Sequence, residues 1–298
     1  MARRTILAPA PIDLASTLGE LRLGTHDPTI RLTANEVLRA ANTPCGPATL
    51  HLRADGRRIE AEAWGEGADH ALHAAPDLVG CRDGPESFRP THPLIRDLQR
   101  RRPGVRIGRT GAVVDALVPT VLGQKVTGLE QKRAWQRLVR TLGRPAPGPG
   151  GLRVPPTAAE LARTPYFRYH PFGVERRRAE AIRGACARAS RLEAIAEMDA
   201  GDGERRLLAF PGVGPWTAAI VRRLALGDPD AVEVGDYNLP HLVSWNLAGE
   251  ARGDDDRMLE LLEPFAGHRG RALRLLELGG DRPPRYGPRL SPRDIEAI

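Results

Sequence analysis

The chain predicts a mostly α-helical protein carrying a small antiparallel α+β unit at its N-terminus. Three observations lead there. The clear strand-like alternation lies in the first ninety residues, and from about Thr91 onward almost everything is helical in period, which we take as two domains, 1–88 and 89–298. Two apolar helical runs are then joined by FPGVGP at 210–215, a break too short for anything but a tight hairpin.

At 298 residues the chain is long enough to bury cores in two domains. Its formal net charge is +7, carried almost entirely by arginine, since lysine occurs only at Lys125 and Lys132. A basic excess favours a polyanionic partner, and arginine suits bidentate phosphate contacts; an overall Ala/Arg/Gly/Pro bias is the plainer source of the same charge. The three cysteines, Cys45, Cys81 and Cys186, have neither metal-ligand nor disulfide-framework spacing, and none clusters near the C-terminus for an iron–sulfur centre. The start, MARRTILAPAPIDL, lacks an apolar core, and no run is long enough to span a bilayer. We therefore expect a cytoplasmic, nucleoid-associated protein without membrane contact.

The segment IDLASTLGELRL reads as a helix and TIRL as a short strand. TANEVLRAAN is open between two readings: Thr33 and Glu36 make a capping box, while the hairpin beside it needs a partner strand. ATLHLRADGRRIEAEAW alternates on both sides of Asp55-Gly56, the mark of a hairpin with a primed turn. Residues 69–79 return to helical spacing. In the second part, residues 111–122 form a helix with Pro119 expected to kink it, and a new helix starts behind the capping box Thr127-x-x-Glu130. RPAPGPGGLRVPP is expected as a mobile surface loop. Residues 175–197 read as one long arginine-studded helix, and the aspartates of GDDDR as the cap of another. The proline-rich tail after Gly279 has little to bury.

In the hairpin, Pro211 and Gly212 end one helix, Gly214 leaves the backbone unshielded, and Pro215 opens the next. Backbone N–H groups then point outward with no Cβ before them, which is an anion site; an ordinary helix–helix corner is the plainer alternative. Downstream, VGDYNLPHLV places Asp236 ahead of a helix starting near Leu239. Asp236 is either its cap or a carboxylate facing what the hairpin holds.

The pair FPGVGPWTA and VGDYN resembles the helix-hairpin-helix DNA glycosylases, specifically the DNA-3-methyladenine glycosylase II branch. AVVDALVPTVLGQKVTG and FGVERRRAEAI match in order, so the resemblance covers residues 111–278, and the N-terminal unit fits that branch's extra domain. What the resemblance implies is a monofunctional glycosylase acting in base excision repair on damaged bases, alkylated purines first, flipped out of duplex DNA. Asp236 would be the catalytic carboxylate. Gly212, Gly214, Thr217, Gln124 and Lys125 would contact DNA, and the carbonyls of Leu208, Phe210 and Val213 would seat a monovalent cation. No other cofactor and no obligate protein partner are implied. An oxidised or deaminated base, or a non-catalytic DNA-binding role, are the alternatives.

Departures from the family pattern bear on substrate. Bifunctional members place a lysine two residues after the second hairpin glycine, where this chain has Trp216, which cannot form a Schiff base but can stack on an electron-poor base or fill the core. Family members commonly place an apolar wedge after the glutamine of GQKVTG, and here Lys125 stands there. Ile220, four places after Trp216, is not aromatic, and PFAGHRGRALRLL lacks the aromatic that the family often carries on its last core helix; Phe167, Tyr169, His170 and Phe172 either compensate or belong to the core.

Overall fold

The alternation of residues 46–64 becomes the centre of a sheet. In the computed structural model, which describes residues 1–284 and 292, β1 (Ala2–Leu7), β2 (Ile30–Leu32), β3 (Glu36–Thr43), β4 (Gly46–Asp55) and β5 (Arg58–Trp64) form one antiparallel sheet in the order β1-β5-β4-β3-β2. The register Asp55↔Arg58 leaves Gly56 and Arg57 as the loop, with Gly56 at φ +58°, the positive value a primed turn needs. Residues 36–43 resolve as a strand, because β4 offers a full ladder of eight pairs from Glu36↔Arg53 to Thr43↔Gly46. Tertiary pairing here overrides the helical capping signal.

Two helices, α1 (Leu14–Leu18) and α2 (Ala68–Leu78), bring Leu14, Leu18, Leu72, Ala75 and Leu78 onto the sheet residues Val37, Leu50, Leu52, Ile59 and Ala61, and this is one buried core. The predicted mobile loop is ordered against the sheet's other face. It contains the short ribbon β6 (Arg144–Pro145) and β7 (Arg153–Val154), and it buries Leu152 and Val154 on Ala40. Glycines make that approach possible: a Cβ on Gly148 would run into Trp64, and one on Gly150 into Leu38. The segment is a clamp between the two parts of the chain rather than a free loop.

The helical part holds two further cores. α4 (Val113–Leu122), α5 (Gly128–Leu142), α6 (Ala158–Arg163), α7 (Arg176–Cys186), α8 (Ala189–Glu193), α9 (Ala200–Leu208) and α10 (Pro215–Val221) enclose Leu117, Leu138, Ile182, Leu192, Leu207 and Val221, while Ile95 and Leu98 of α3 (Pro93–Arg101) pack with α11 (Leu239–Ala248), α12 (Asp255–Leu262) and α13 (Arg269–Gly279). The Thr127–Glu130 capping box is formed in both directions. The expected long helix over 175–197 is instead α7, α8 and a 3-10 turn, which lets Glu193 turn in and cap α4 through the N–H groups of Val113 and Val114 at 2.8 and 3.0 Å. Pro119 lies inside α4, and residues 285–291 and 293–298 of the proline-rich tail fall outside the described residues.

Candidate active site

The glycine hairpin joins α9 to α10. Gly212 sits at φ +84°, where side chains other than glycine's are strained, and a Cβ on it would lie 2.7 Å from the Ala181 Cβ of α7. Gly214 is different: its φ of −105° and ψ of −179° suit any residue, and nothing lies within 4 Å of a Cβ placed there. Gly212 is needed for the turn. Gly214 keeps the start of α10 open to a close approach from outside. Within the turn the Val213 N–H donates to the Phe210 carbonyl at 3.1 Å.

The loop after α4 abuts this hairpin. Gln124 Nε2 donates to the Gly212 carbonyl and to the Thr217 hydroxyl, both at 2.8 Å. Thr217 is 2 % exposed, so its side chain holds the hairpin from behind, and Gln124 acts as a tie between loop and hairpin. Lys125, next in sequence, is exposed and has φ +55°, the one positive φ at a non-glycine among the described residues. Such a conformation costs about 1 kcal/mol or more and is held by its surroundings. Part of the hold comes from Arg178 of α7, a buried guanidinium that donates to the carbonyls of Leu122 at 2.7 Å and Gly173 at 3.1 Å. In sequence Arg178 is one more arginine on a basic helix, and nothing marks it as buried.

Asp236 stands between the two helical cores, ahead of α11. Its Oδ1 accepts the backbone N–H groups of Asn238 (2.7 Å) and Leu239 (3.0 Å), and its Oδ2 accepts the Trp216 indole N–H at 3.0 Å. Asp236 thus closes a turn onto the start of α11, whose N-cap position is Asn238, and it uses one oxygen only to do so. The other is held against α10 by Trp216, a half-buried residue lining the cleft described below. The preceding residue, Gly235, is at φ +91°, and its N–H donates to both carboxylate oxygens of Asp255 at 3.0 and 3.1 Å. Within the acidic triplet Asp254 caps α12, while Asp255 reaches across to fix the loop that presents Asp236. Sequence reading took the triplet as a cap alone. Tyr237, 76 % exposed, projects beside the carboxylate and was also missed.

A cleft of about 180 Å³ opens beside Trp216. Its walls include Trp216 and Ile220 of α10, Asp115 of α4, Trp135 of α5 and Arg39 of β3, so the N-terminal sheet contributes to it directly. Arg223 and Leu224 enter from a π-helical turn, Arg222–Leu226, that continues α10. Arg223 is pinned between Glu20 and Glu233. Of the four residues weighed between a stacking and a core role, Tyr169 and Phe172 are core, Phe167 and His170 are exposed, and none lines the cleft. Among the described residues no cluster of three or more His, Cys, Asp or Glu could hold a metal, and no helix is long and apolar enough to cross a membrane.

No family model matches the chain. Among solved structures, a 3-methyladenine DNA glycosylase from Archaeoglobus fulgidus superposes with a TM-score of 0.77 at 19 % identity, covering 93 % of this chain and 97 % of that one. The fold is that of the helix-hairpin-helix DNA glycosylases. The 8-oxoguanine glycosylase/lyase of Clostridium acetobutylicum shares the glycosylase fold with a TM-score of 0.71 at 13 % identity, over 93 % of this chain and 96 % of that one. In sequence, 153 residues are 34 % identical to a probable bifunctional transcriptional activator/DNA repair enzyme AlkA of Mycobacterium tuberculosis, which is 49 % of this chain and 30 % of the relative. The match therefore spans under a third of the curated relative's length.

Proposed function

We propose that the chain is a DNA glycosylase that hydrolyses the N-glycosidic bond of damaged bases, alkylated purines first, in duplex DNA. The observation that carries this reading is the Asp236 carboxylate, fixed by two backbone N–H groups and the Trp216 indole N–H beside a cleft and a glycine hairpin. A target base is unreachable inside the duplex, so the nucleotide rotates out into the cleft. Asp236 then faces the sugar and stabilises the positive charge that grows as the C1′–N bond breaks. An alkylated purine already carries positive charge and leaves without a strong general acid. The Trp216 ring, oriented by its bond to Asp236, offers a stacking face to such a cationic base.

Gly212 and Gly214 leave the N–H groups at the start of α10 free to meet a phosphate, an interaction that positions the duplex without reading its sequence. Lys125, thrust outward on its strained backbone beside the hairpin, is assigned to the gap left by the flipped nucleotide, its aliphatic stem filling space and its ammonium meeting phosphate. The carbonyls of Leu208, Phe210 and Val213 are assigned to a monovalent cation. Three neutral oxygens suit sodium or potassium, and the Phe210 carbonyl keeps a second lone pair beyond its bond to Val213. Duplex DNA is the only partner this reading requires.

Gly214→Asp separates a DNA role from a folding role. Aspartate is a good N-cap and meets open space there, so the unfolding midpoint is expected to stay unchanged. Duplex affinity, followed by fluorescence anisotropy, is expected to fall roughly tenfold or more at low salt, because the new charge sits where a phosphate must come. Unchanged affinity would remove the hairpin from the DNA interface.

The strand chemistry tests the hydrolytic assignment. With Trp216 in the position of the lyase lysine, water takes the sugar carbon and the strand stays intact. Borohydride is expected to trap no covalent protein–DNA adduct, and strands to break only after alkali or heat. Lys125 is the lysine placed beside the hairpin, so efficient trapping that vanishes in Lys125→Ala would show that the amine function resides there.

A further inference from the structure

Most polar groups on the cleft wall are already committed. Trp135 donates to Asp27 at 3.3 Å, Gln131 donates to the Pro119 carbonyl at 2.9 Å, Thr120 donates to Ala116, and Arg223 is paired with Glu20 and Glu233. Arg39 and Asp115 are the exceptions. The Arg39 guanidinium and the Asp115 carboxylate lie 3.8 Å apart, beyond hydrogen-bond reach, with side chains only 19 % and 21 % exposed. Burial holds the Arg39 guanidinium below, and the Asp115 carboxyl above, their ordinary ranges. Two opposite charges taken mostly out of water without direct hydrogen bonds are costly, and a ligand that bonds to both would offset that cost.

The two side chains come from different parts of the chain. Arg39 is on β3 of the N-terminal sheet, opposite Ile30 in the ladder, and Asp115 is in the first turn of α4. A guanidinium that donates and a carboxylate that accepts, side by side, complement a base edge on which a carbonyl adjoins N–H donors. A purine with a six-oxo group has that edge: O6 accepts from arginine, while N1–H and the two-amino group donate together to a carboxylate. Adenine derivatives present only one exocyclic amino group, and their edge suits an amide side chain better than a carboxylate.

Building on the glycosylase reading above, we propose that Arg39 and Asp115 read the edge of the flipped base and favour guanine-derived lesions, so that the N-terminal sheet completes the recognition wall. Randomly methylated DNA supplies the test, because 7-methylguanine and 3-methyladenine are released from one substrate and separated chromatographically. In the full-length protein, Arg39→Met is expected to lower methylguanine release about ten- to hundredfold relative to methyladenine release, the discrimination of one good edge contact. Asp115→Asn shifts the ratio the same way, since an amide fits the adenine edge. The unfolding midpoint of each variant, followed by circular dichroism, is the control for folding. Arg39→Lys keeps the charge but loses the planar fork, and gives an intermediate shift even where the methionine variant folds poorly. A ratio that stays at the wild-type value while both rates change in parallel would overturn the proposal and leave the pair a plain contact between the two parts. Wild-type release of methyladenine alone would also overturn it without touching the glycosylase reading. Release of neither base removes that reading itself.

Discussion

Asp236→Asn is expected to abolish base release, with single-turnover excision falling a hundredfold or more while duplex binding and the unfolding midpoint change little. Loss of a charge partner for the transition state is worth about 3 kcal/mol or more. The hydrogen bonds sharpen the expectation. Asp236 uses one oxygen for the N–H groups of Asn238 and Leu239 and the other for the indole N–H of Trp216. An asparagine has one oxygen, so it can keep the cap only by turning its amide N–H against the indole N–H. The cap, and with it α11, survives; the link to α10 does not. Trp216→Phe is the companion variant, since it removes the indole donor and keeps the charge. It is expected to lower excision less than Asp236→Asn does. Excision by Asp236→Asn near the wild-type rate would reduce Asp236 to its capping role.

Arg271→Met is expected to produce the largest loss of stability. Arg271 of α13 and Asp83, at the end of the N-terminal unit, form a bidentate pair whose side chains are 5 % and 3 % exposed, and Asp83 also accepts the Ile107 N–H at 2.9 Å. Methionine fills much of the space but leaves a buried carboxylate without its cation. Breaking a buried pair from one side costs about 3–5 kcal/mol. Urea unfolding followed by circular dichroism measures this, and the double variant Arg271→Met/Asp83→Asn is expected to recover part of the loss because no carboxylate is left buried without its arginine. A loss under 1 kcal/mol would mean that water reaches the pair in solution.

Signals written in local sequence survived into the structure. The Thr127–Glu130 box, the Asp55-Gly56 hairpin and the Pro-Gly-Val-Gly-Pro break depend on a few adjacent residues, and each folds as read. Where two local signals competed, at residues 33–42, only the partner strand β4 could decide. The segment 144–156 has the composition of a mobile loop, yet its glycines let it lie flat on Trp64 and Leu38, a contact across eighty or more positions that composition does not record. In the candidate site the hairpin and Asp236 were legible because glycine, proline and an isolated carboxylate carry their geometry with them. The supports were not. Arg178 under the loop, Asp255 beneath Gly235 and Arg39 in the cleft wall are arginines and aspartates in a chain full of both, and only the fold singles them out. The bond from Gln124 to the buried Thr217 hydroxyl likewise joins residues 93 positions apart, which no local pattern records.

The most direct test of the account is chromatography of free base after wild-type protein is incubated with randomly methylated duplex DNA. The account predicts methylated purine in the soluble fraction, intact strands carrying alkali-labile sites, and none of either with Asp236→Asn. Tight binding to the same DNA with no base released by the wild type would contradict it, and would leave a helix-hairpin-helix protein that binds DNA without cutting the glycosidic bond.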